Sequence, residues 1–258
     1  MNATGSQNGA SIEGPGRIFW NQNGMVILTS GQALVTGSDE NTTLQCLGRG
    51  DVTFVAGDGN NIANGGVGND IFIGGAGYNR FYGGNGNDTL VGGSFINDLN
   101  GGNGNDTLIF GQNDQVSGGT GIDQFIFIAK ENTGNVSYGD IYTGHDFAFI
   151  RDLKFWEGDT LDLSMCPELI RENMKVVDDA LMVFGPERIL HIEGIGHQIT
   201  LAGGLDAAIM GGEILINDPY YYYGMTPHPP TVGVAEVSLV GIATTTSGDH
   251  SVPVGGKG

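Results

Sequence analysis

A nine-residue period dominates the middle of this chain and limits the folds that it can form. From Gly65 to Ile109 the sequence divides without a gap into five units: GGVGNDIFI, GGAGYNRFY, GGNGNDTLV, GGSFINDLN and GGNGNDTLI. A unit shortened by one residue, FGQNDQVS, follows, and GGTGIDQFI then restores the pattern. Two weaker copies, LGRGDVTFV and AGDGNNIAN, precede Gly65. Such a period predicts a solenoid, in which a unit is stable only when its neighbours stack on it.

Each unit combines a glycine turn with one apolar side chain. Glycine at the first, second and fourth positions allows tight turns and positive φ angles. We predict that each unit forms a turn and a very short strand, and that two units make one coil. The side chains at the eighth position should then form two apolar ladders that face each other across the interior. These side chains are Phe54, Ala63, Phe72, Phe81, Leu90, Leu99, Leu108, Val116 and Phe125.

The pattern G-G-x-G-x-D-x-U-x resembles the RTX (hemolysin-type) calcium-binding nonapeptide. The units that begin at Gly65, Gly83, Gly101 and Gly118 fit it at every position. The resemblance implies an all-β fold, a parallel β-roll, with Ca²⁺ between the turns of neighbouring coils. Glycine-turn carbonyls and sixth-position aspartates would surround the ion, which suits a hard cation that takes six to eight oxygens. The implied metal ligands are Gly66, Gly68, Asp70, Gly84, Gly86, Asp88, Gly102, Gly104, Asp106, Gly119, Gly121 and Asp123.

The turns sort onto two chemically different edges, because two units make one coil. On one edge the sixth residues are Asp70, Asp88, Asp106 and Asp123; on the other they are Asn61, Asn79, Asn97 and Asp114. Carboxylates stacked roughly 5 Å apart repel one another strongly without a cation. Asparagine side chains are uncharged, so a ladder of them does not need a cation, and asparagine tolerates tight turns. We expect about three ions, all on the aspartate side; calcium on the other side is the less favoured alternative.

The segments on either side of the repeat predict caps and a tail. We expect N-terminal capping strands over 1–46, the roll over 47–128, a C-terminal antiparallel β cap over 129–216, and a Tyr/Pro linker with a mobile tail over 217–258. The apolar runs Ala180–Phe184, Ile189–Ile192 and Gln198–Ala202 indicate the strands of the C-terminal cap. Two interpretations of the acids Asp152, Asp159 and Asp162 stay open: a solvated acidic turn or an additional calcium site.

Charge and motif content exclude several classes of function. With 29 acidic and 10 basic side chains the net charge is −19, which opposes nucleic-acid binding. The sequence contains no run of 18 apolar residues for a membrane span. Cys46 and Cys166 cannot form a disulfide framework. Zinc-protease, nucleophile-elbow and P-loop motifs are missing, so we expect no enzyme activity.

These observations favour one function and leave a second open. We expect a secreted calcium-binding β-roll protein, without a cleaved N-terminal signal peptide, that folds on calcium outside the cell. It would present a structural or adhesive surface to extracellular polysaccharide or to a secreted partner protein. The alternative is an accessory module of an extracellular enzyme that acts on polysaccharide. A solenoid without metal is a third possibility, against which the aspartates argue.

Overall fold

The chain forms two long β-sheets, and successive strands alternate between them along most of its length. The computed structural model describes residues 3–7, 10–14, 18–20, 25–28, 32–128, 145–166, 171–184 and 189–216, all within the unit Met1–Thr226. The predicted linker and tail, including Tyr220–Tyr223, lie outside these residues.

The strands of both sheets can be given in spatial order. The first sheet contains β1 (Ala3–Gln7), β2 (Ala10–Gly14), β5 (Ala33–Thr36), β7 (Val52–Val55), β9 (Ile71–Ile73), β11 (Thr89–Val91), β13 (Thr107–Phe110), β15 (Gln124–Phe127), β17 (Thr160–Asp162) and β21 (Ile214–Leu215). The second sheet contains β18 (Met174–Val177), β19 (Ala180–Phe184), β20 (Ile189–Glu193), β16 (His145–Ile150), β14 (Gln115–Thr120), β12 (Asn97–Asn103), β10 (Asn79–Asn85), β8 (Asn61–Val67), β6 (Thr43–Cys46), β4 (Met25–Leu28) and β3 (Ile18–Trp20).

The register of the strands confirms that two nine-residue units make one coil. Phe81 pairs in parallel with Ala63 on one side and with Leu99 on the other, a step of 18 residues each time. The shortened unit is absorbed without loss of register, since Leu99 pairs with Val116 after 17 residues.

The core consists of the two predicted apolar ladders. All nine eighth-position side chains are completely buried. Phe54, Phe72 and Phe81 form an edge-to-face cluster with ring centroids 5.5 to 6.2 Å apart, a favourable arrangement for aromatic rings. In β9 to β12 one inward apolar side chain per strand is therefore enough to fill the narrow interior, whereas β13 and β15 each bury a second one, Phe110 and Phe127.

Loss of a single ladder side chain should be costly. We expect Leu108→Ala to lower the free energy of unfolding by about 2–5 kcal/mol, because it leaves a cavity in a fully buried row. Its neighbour Ile109 points outward and is only half-buried, so Ile109→Ala is the matched control, with a much smaller loss. Denaturant titration in saturating calcium measures both. Equal losses would contradict this account of the core.

Parallel pairing continues beyond the glycine-rich units at both ends. At the start β4 pairs with β6 and β5 with β7; after the units β15 pairs with β17, and β17 with β21. These flanking strands extend the same ladders with ordinary apolar residues, including Val26, Val35, Leu161 and Ile214. The physical requirement is thus at least one inward apolar side chain per strand, whatever the sequence of the turn.

Antiparallel strands close the stack at both ends. In the N-terminal region β1, β2 and β5 pair antiparallel, as do β3 and β4. At the other end β18, β19 and β20 form an antiparallel meander. Such strands cover edges that would otherwise be open to other chains. The predicted fold class, a parallel β-roll with N-terminal capping strands and a C-terminal antiparallel cap, is confirmed.

One predicted strand of the C-terminal cap is wrong. The run Gln198–Ala202 lies mainly in helix α1 (Gly196–Leu201), and α2 (Leu205–Gly211) follows it. The reason is the spacing of the apolar residues: Ile195 and Ile199 are four apart and both are buried, which is a helical period. Among the residues that the structure describes, no helix has the length and apolar character needed to cross a membrane.

Candidate metal centre

The two edges of the roll have different backbone conformations. We call the turns at Gly65, Gly83, Gly101 and Gly118 the aspartate edge, and the turns at Ala56, Gly74, Gly92 and Phe110 the asparagine edge. On the aspartate edge the second and fourth glycines of every turn have φ between 87° and 154°. Within the stretch 32–128, no turn glycine of the asparagine edge has a positive φ. The repeated pair of positive-φ glycines is therefore specific to the aspartate edge, while in the Phe110 turn of the other edge a non-glycine residue, Asn113, has φ 69°.

A continuous ladder of carboxylates runs along the aspartate edge. The backbone N–H of Asp70 donates to Asp88 Oδ1 at 2.7 Å, that of Asp88 to Asp106 Oδ1 at 2.7 Å, and that of Asp106 to Asp123 Oδ1 at 2.9 Å. All four side chains are at most 2 % exposed. The predicted sixth-position aspartates are thus brought together in one buried column.

The second oxygen of the first three ladder carboxylates has no hydrogen-bond partner. Oδ2 of Asp70, Asp88 and Asp106 is buried and unpartnered. It lies close to the first glycine of its own turn, since a Cβ added at Gly83 would be 2.2 Å from Asp88 Oδ2. Leaving a buried carboxylate oxygen unsatisfied is costly, so this atom indicates a ligand.

Backbone carbonyls form further columns beside the carboxylates. A Cβ added at Gly84 would lie 2.4 Å from the Gly66 carbonyl oxygen, and one added at Gly86 would lie 1.8 Å from that of Gly68. The same close approach recurs in the next two coils. Each second and fourth glycine therefore directs its carbonyl toward the next coil, and only glycine leaves room for it.

This set of donor atoms fits calcium. Carboxylate and carbonyl oxygens are what Ca²⁺ prefers, and its flexible geometry tolerates a mixture of the two. Within the described residues, no three His, Cys, Asp or Glu side chains cluster as a metal cage. An ion here would rely on two aspartates and on the backbone, an arrangement unlike the Cys and His sites of zinc.

Burial raises the pKa of the ladder carboxylates. The pKa of Asp70 and of Asp106 rises to about 7, and that of Asp88 to about 6. Loss of hydration is the main cause, repulsion by nearby carboxylates adds to it, and the backbone N–H donors oppose it. The ionised ladder is thus unfavourable in the absence of a cation.

Calcium binding should therefore depend on pH. Because the folded pKa values exceed the usual aspartate value, protons stabilise the metal-free roll fully below about pH 4, and this stabilisation is lost progressively as the pH rises from there through about 6 to 7. Calcium must displace those protons, so we expect about tenfold weaker binding at about pH 5.5 than at about pH 7.5. Calorimetry in buffers of different ionisation enthalpy would detect the released protons. An affinity that does not change over this range would contradict the prediction.

The asparagine edge is satisfied without an ion. Asn61 Nδ2 donates to Asn79 Oδ1 at 3.0 Å, Asn79 Nδ2 to Asn97 Oδ1 at 3.0 Å, and Asn97 Nδ2 to Asp114 Oδ1 at 2.9 Å. The predicted hydrogen-bonded ladder of amides is therefore present, with Asp114 in the place expected after the shortened unit. The turn carbonyls of Gly59, Gly77 and Phe95 accept further bonds from these amides.

Asp159, one of the three acids for which two interpretations stayed open, forms a fifth rung of the carboxylate ladder. The backbone N–H of Asp123 donates to Asp159 Oδ1 at 2.9 Å, and Asp159 is only 2 % exposed, which excludes a solvated turn at this residue. A signal for it exists, because the triplet Asp-Thr-Leu at 159–161 repeats residues 88–90 and 106–108. Asp152 instead caps the last glycine turn, where it accepts from the N–H groups of Gly118 and Gly119.

Comparison with known proteins supports the same assignment. The family of the RTX calcium-binding nonapeptide repeat matches residues 48–81 and 82–112, in four copies. A search of curated proteins found no match. The Gly118 turn lies beyond the matched residues, but its Asp123 continues the same ladder. Residues 48–112 are thus built from RTX calcium-binding nonapeptide repeats.

Proposed function

We propose that calcium ions bind between successive turns of the aspartate edge and that the roll is the calcium-dependent structural part of a secreted protein. The observation that supports this is the column of buried Oδ2 atoms without partners. The ligands would be the twelve residues that the repeat pattern implies: Gly66, Gly68, Asp70, Gly84, Gly86, Asp88, Gly102, Gly104, Asp106, Gly119, Gly121 and Asp123.

Three steps of the ladder would hold the ions. They lie between Asp70 and Asp88, between Asp88 and Asp106, and between Asp106 and Asp123. The two middle aspartates would each serve two ions, so binding should be cooperative. On the N-terminal side the series ends at Val52, which takes the sixth position of its unit, because a valine side chain has no oxygen that could bind the ion.

The extracellular setting follows from the affinity expected of such sites. Extracellular calcium modules bind with dissociation constants on the order of 10⁻⁴–10⁻³ M, far above cytosolic calcium. A roll of this kind would stay unfolded inside the cell and fold outside it, and RTX repeat proteins are typically secreted. We propose that the folded roll presents a rigid structural or adhesive surface to polysaccharide or to a secreted protein. The proposal includes no catalytic step, in keeping with a family that is typically structural or calcium-binding.

Counting the ions tests the proposal. Equilibrium dialysis at millimolar calcium should give about three ions per chain, and magnesium should bind much more weakly because it demands a near-ideal octahedral site. Binding of about twice as many ions would mean that both edges hold calcium. Absence of binding at 10 mM calcium, on the order of ten times the weakest expected constant, would overturn the proposal.

A further inference from the structure

The last step of the carboxylate ladder has the geometry of the steps before it. Asp123 donates its backbone N–H to Asp159 Oδ1 at 2.9 Å, as Asp106 does to Asp123. Asp159 is as deeply buried as the other rungs, and burial raises its pKa to about 6. From the column of aspartates alone, a further ion would be expected between Asp123 and Asp159.

A lysine already satisfies two oxygens of this step. Lys154 Nζ donates to the Gly119 carbonyl at 2.8 Å. Gly119 is the second glycine of its turn, and in the preceding turns the carbonyl of that glycine points toward the next coil. The backbone N–H of the same lysine donates to Asp159 Oδ2 at 2.8 Å. In the inner rungs the corresponding Oδ2 atoms have no partner.

The surroundings of Lys154 keep its side chain charged. Its ammonium pairs with Glu157 Oε2 at 3.2 Å, and the side chain is 23 % exposed. Partial burial lowers the pKa of Lys154, but the bond to Glu157 and the charges of Glu157, Asp152 and Asp159 together raise it above its ordinary value. A positive charge is therefore present at the terminal step at every physiological pH.

We propose that the Lys154 ammonium takes the place of a calcium ion at the Asp123–Asp159 step. The lysine ends the series of ions and lets the C-terminal part of the fold dock on the last glycine turn without metal. This inference rests on the proposed function, because it assumes that the inner steps bind calcium. Val52 and Lys154 then limit the series at its two ends by different means, one through a missing carboxylate and the other through a built-in cation.

Replacement of the lysine by an uncharged side chain of similar length tests this idea. We expect Lys154→Met to bind one more calcium per chain than the wild type in equilibrium dialysis. Lys175→Met, which removes an exposed lysine on β18, is the matched control and should keep the wild-type number. Asp159→Asn should leave the wild-type number unchanged but abolish the additional ion in the Lys154→Met background.

The results separate this inference from the proposed function. A wild type that binds no calcium would overturn both. If the wild type binds calcium but Lys154→Met gains no ion, the lysine does not replace one and only this inference fails. If Lys154→Met does not fold in calcium, the single variant Asp159→Asn decides the question. Loss of one ion from this variant would show that the terminal step binds calcium despite the lysine. An unchanged number of ions would support the proposal that the lysine ammonium replaces a calcium ion.

Discussion

Removal of calcium with a chelator is expected to unfold the roll. Without the ion, buried carboxylates that repel one another must be held in one column, and each of the five units from Gly65 to Ile109 contributes only one buried apolar side chain in compensation. The many glycines add to the conformational entropy that folding removes. Far-UV circular dichroism should therefore lose most of its β signal, and small-angle scattering should show an expanded chain. Calcium should restore both cooperatively.

Salt and magnesium distinguish specific binding from charge screening. Sodium chloride at matched ionic strength screens the repulsion between exposed charges, but it screens the repulsion between buried charges much less. It should therefore not refold the chain. Magnesium should refold it only at far higher concentration, because it demands octahedral geometry. A β signal and a compact shape that persist in chelator would show that the apolar ladders alone stabilise the fold.

The second large effect is expected at the centre of the ladder. Asp88→Asn keeps an oxygen but removes the charge that two proposed ions share. We expect the affinity of two of the three sites to fall about tenfold or more, equivalent to ~1.4 kcal/mol per site. Calorimetric titration would show fewer tight sites and weaker cooperativity. Asp70→Asn, at the end of the series, should affect one site only.

Asp58→Asn is the matched control for this substitution. Asp58 is exposed and lies in a turn of the asparagine edge, so the same chemical change there should leave calcium binding unaltered. Asn79→Ala would be a poor control, because Asn79 is completely buried and its amide bonds to both neighbouring coils, so its loss would disrupt folding. Equal effects of Asp88→Asn and Asp58→Asn would contradict the assignment of the ions to the aspartate edge.

Much of the proposed site could be predicted from the repeat, because its contacts are periodic. Residues 18 apart become neighbours in any coil of two units, so the column of Asp70, Asp88 and Asp106 follows from counting alone. The same reasoning predicts the ladder of amides on the other edge. Asp159 could not be placed in this way, since 36 residues of different sequence separate it from Asp123.

The period of the coil, the inward ladders and the chemical difference between the edges can all be predicted from the order of the residues. Each of these depends on local spacing, in which an apolar residue or an aspartate recurs at a constant interval. The end of the stack, in contrast, depends on contacts between residues far apart in the chain. Strands as distant as β17 and β21 join it because their inward residues fit the same interior, and Lys154 bonds to a glycine turn 35 residues before it in the chain. No constant nine-residue interval links these residues, so their contacts depend on packing across the whole stack.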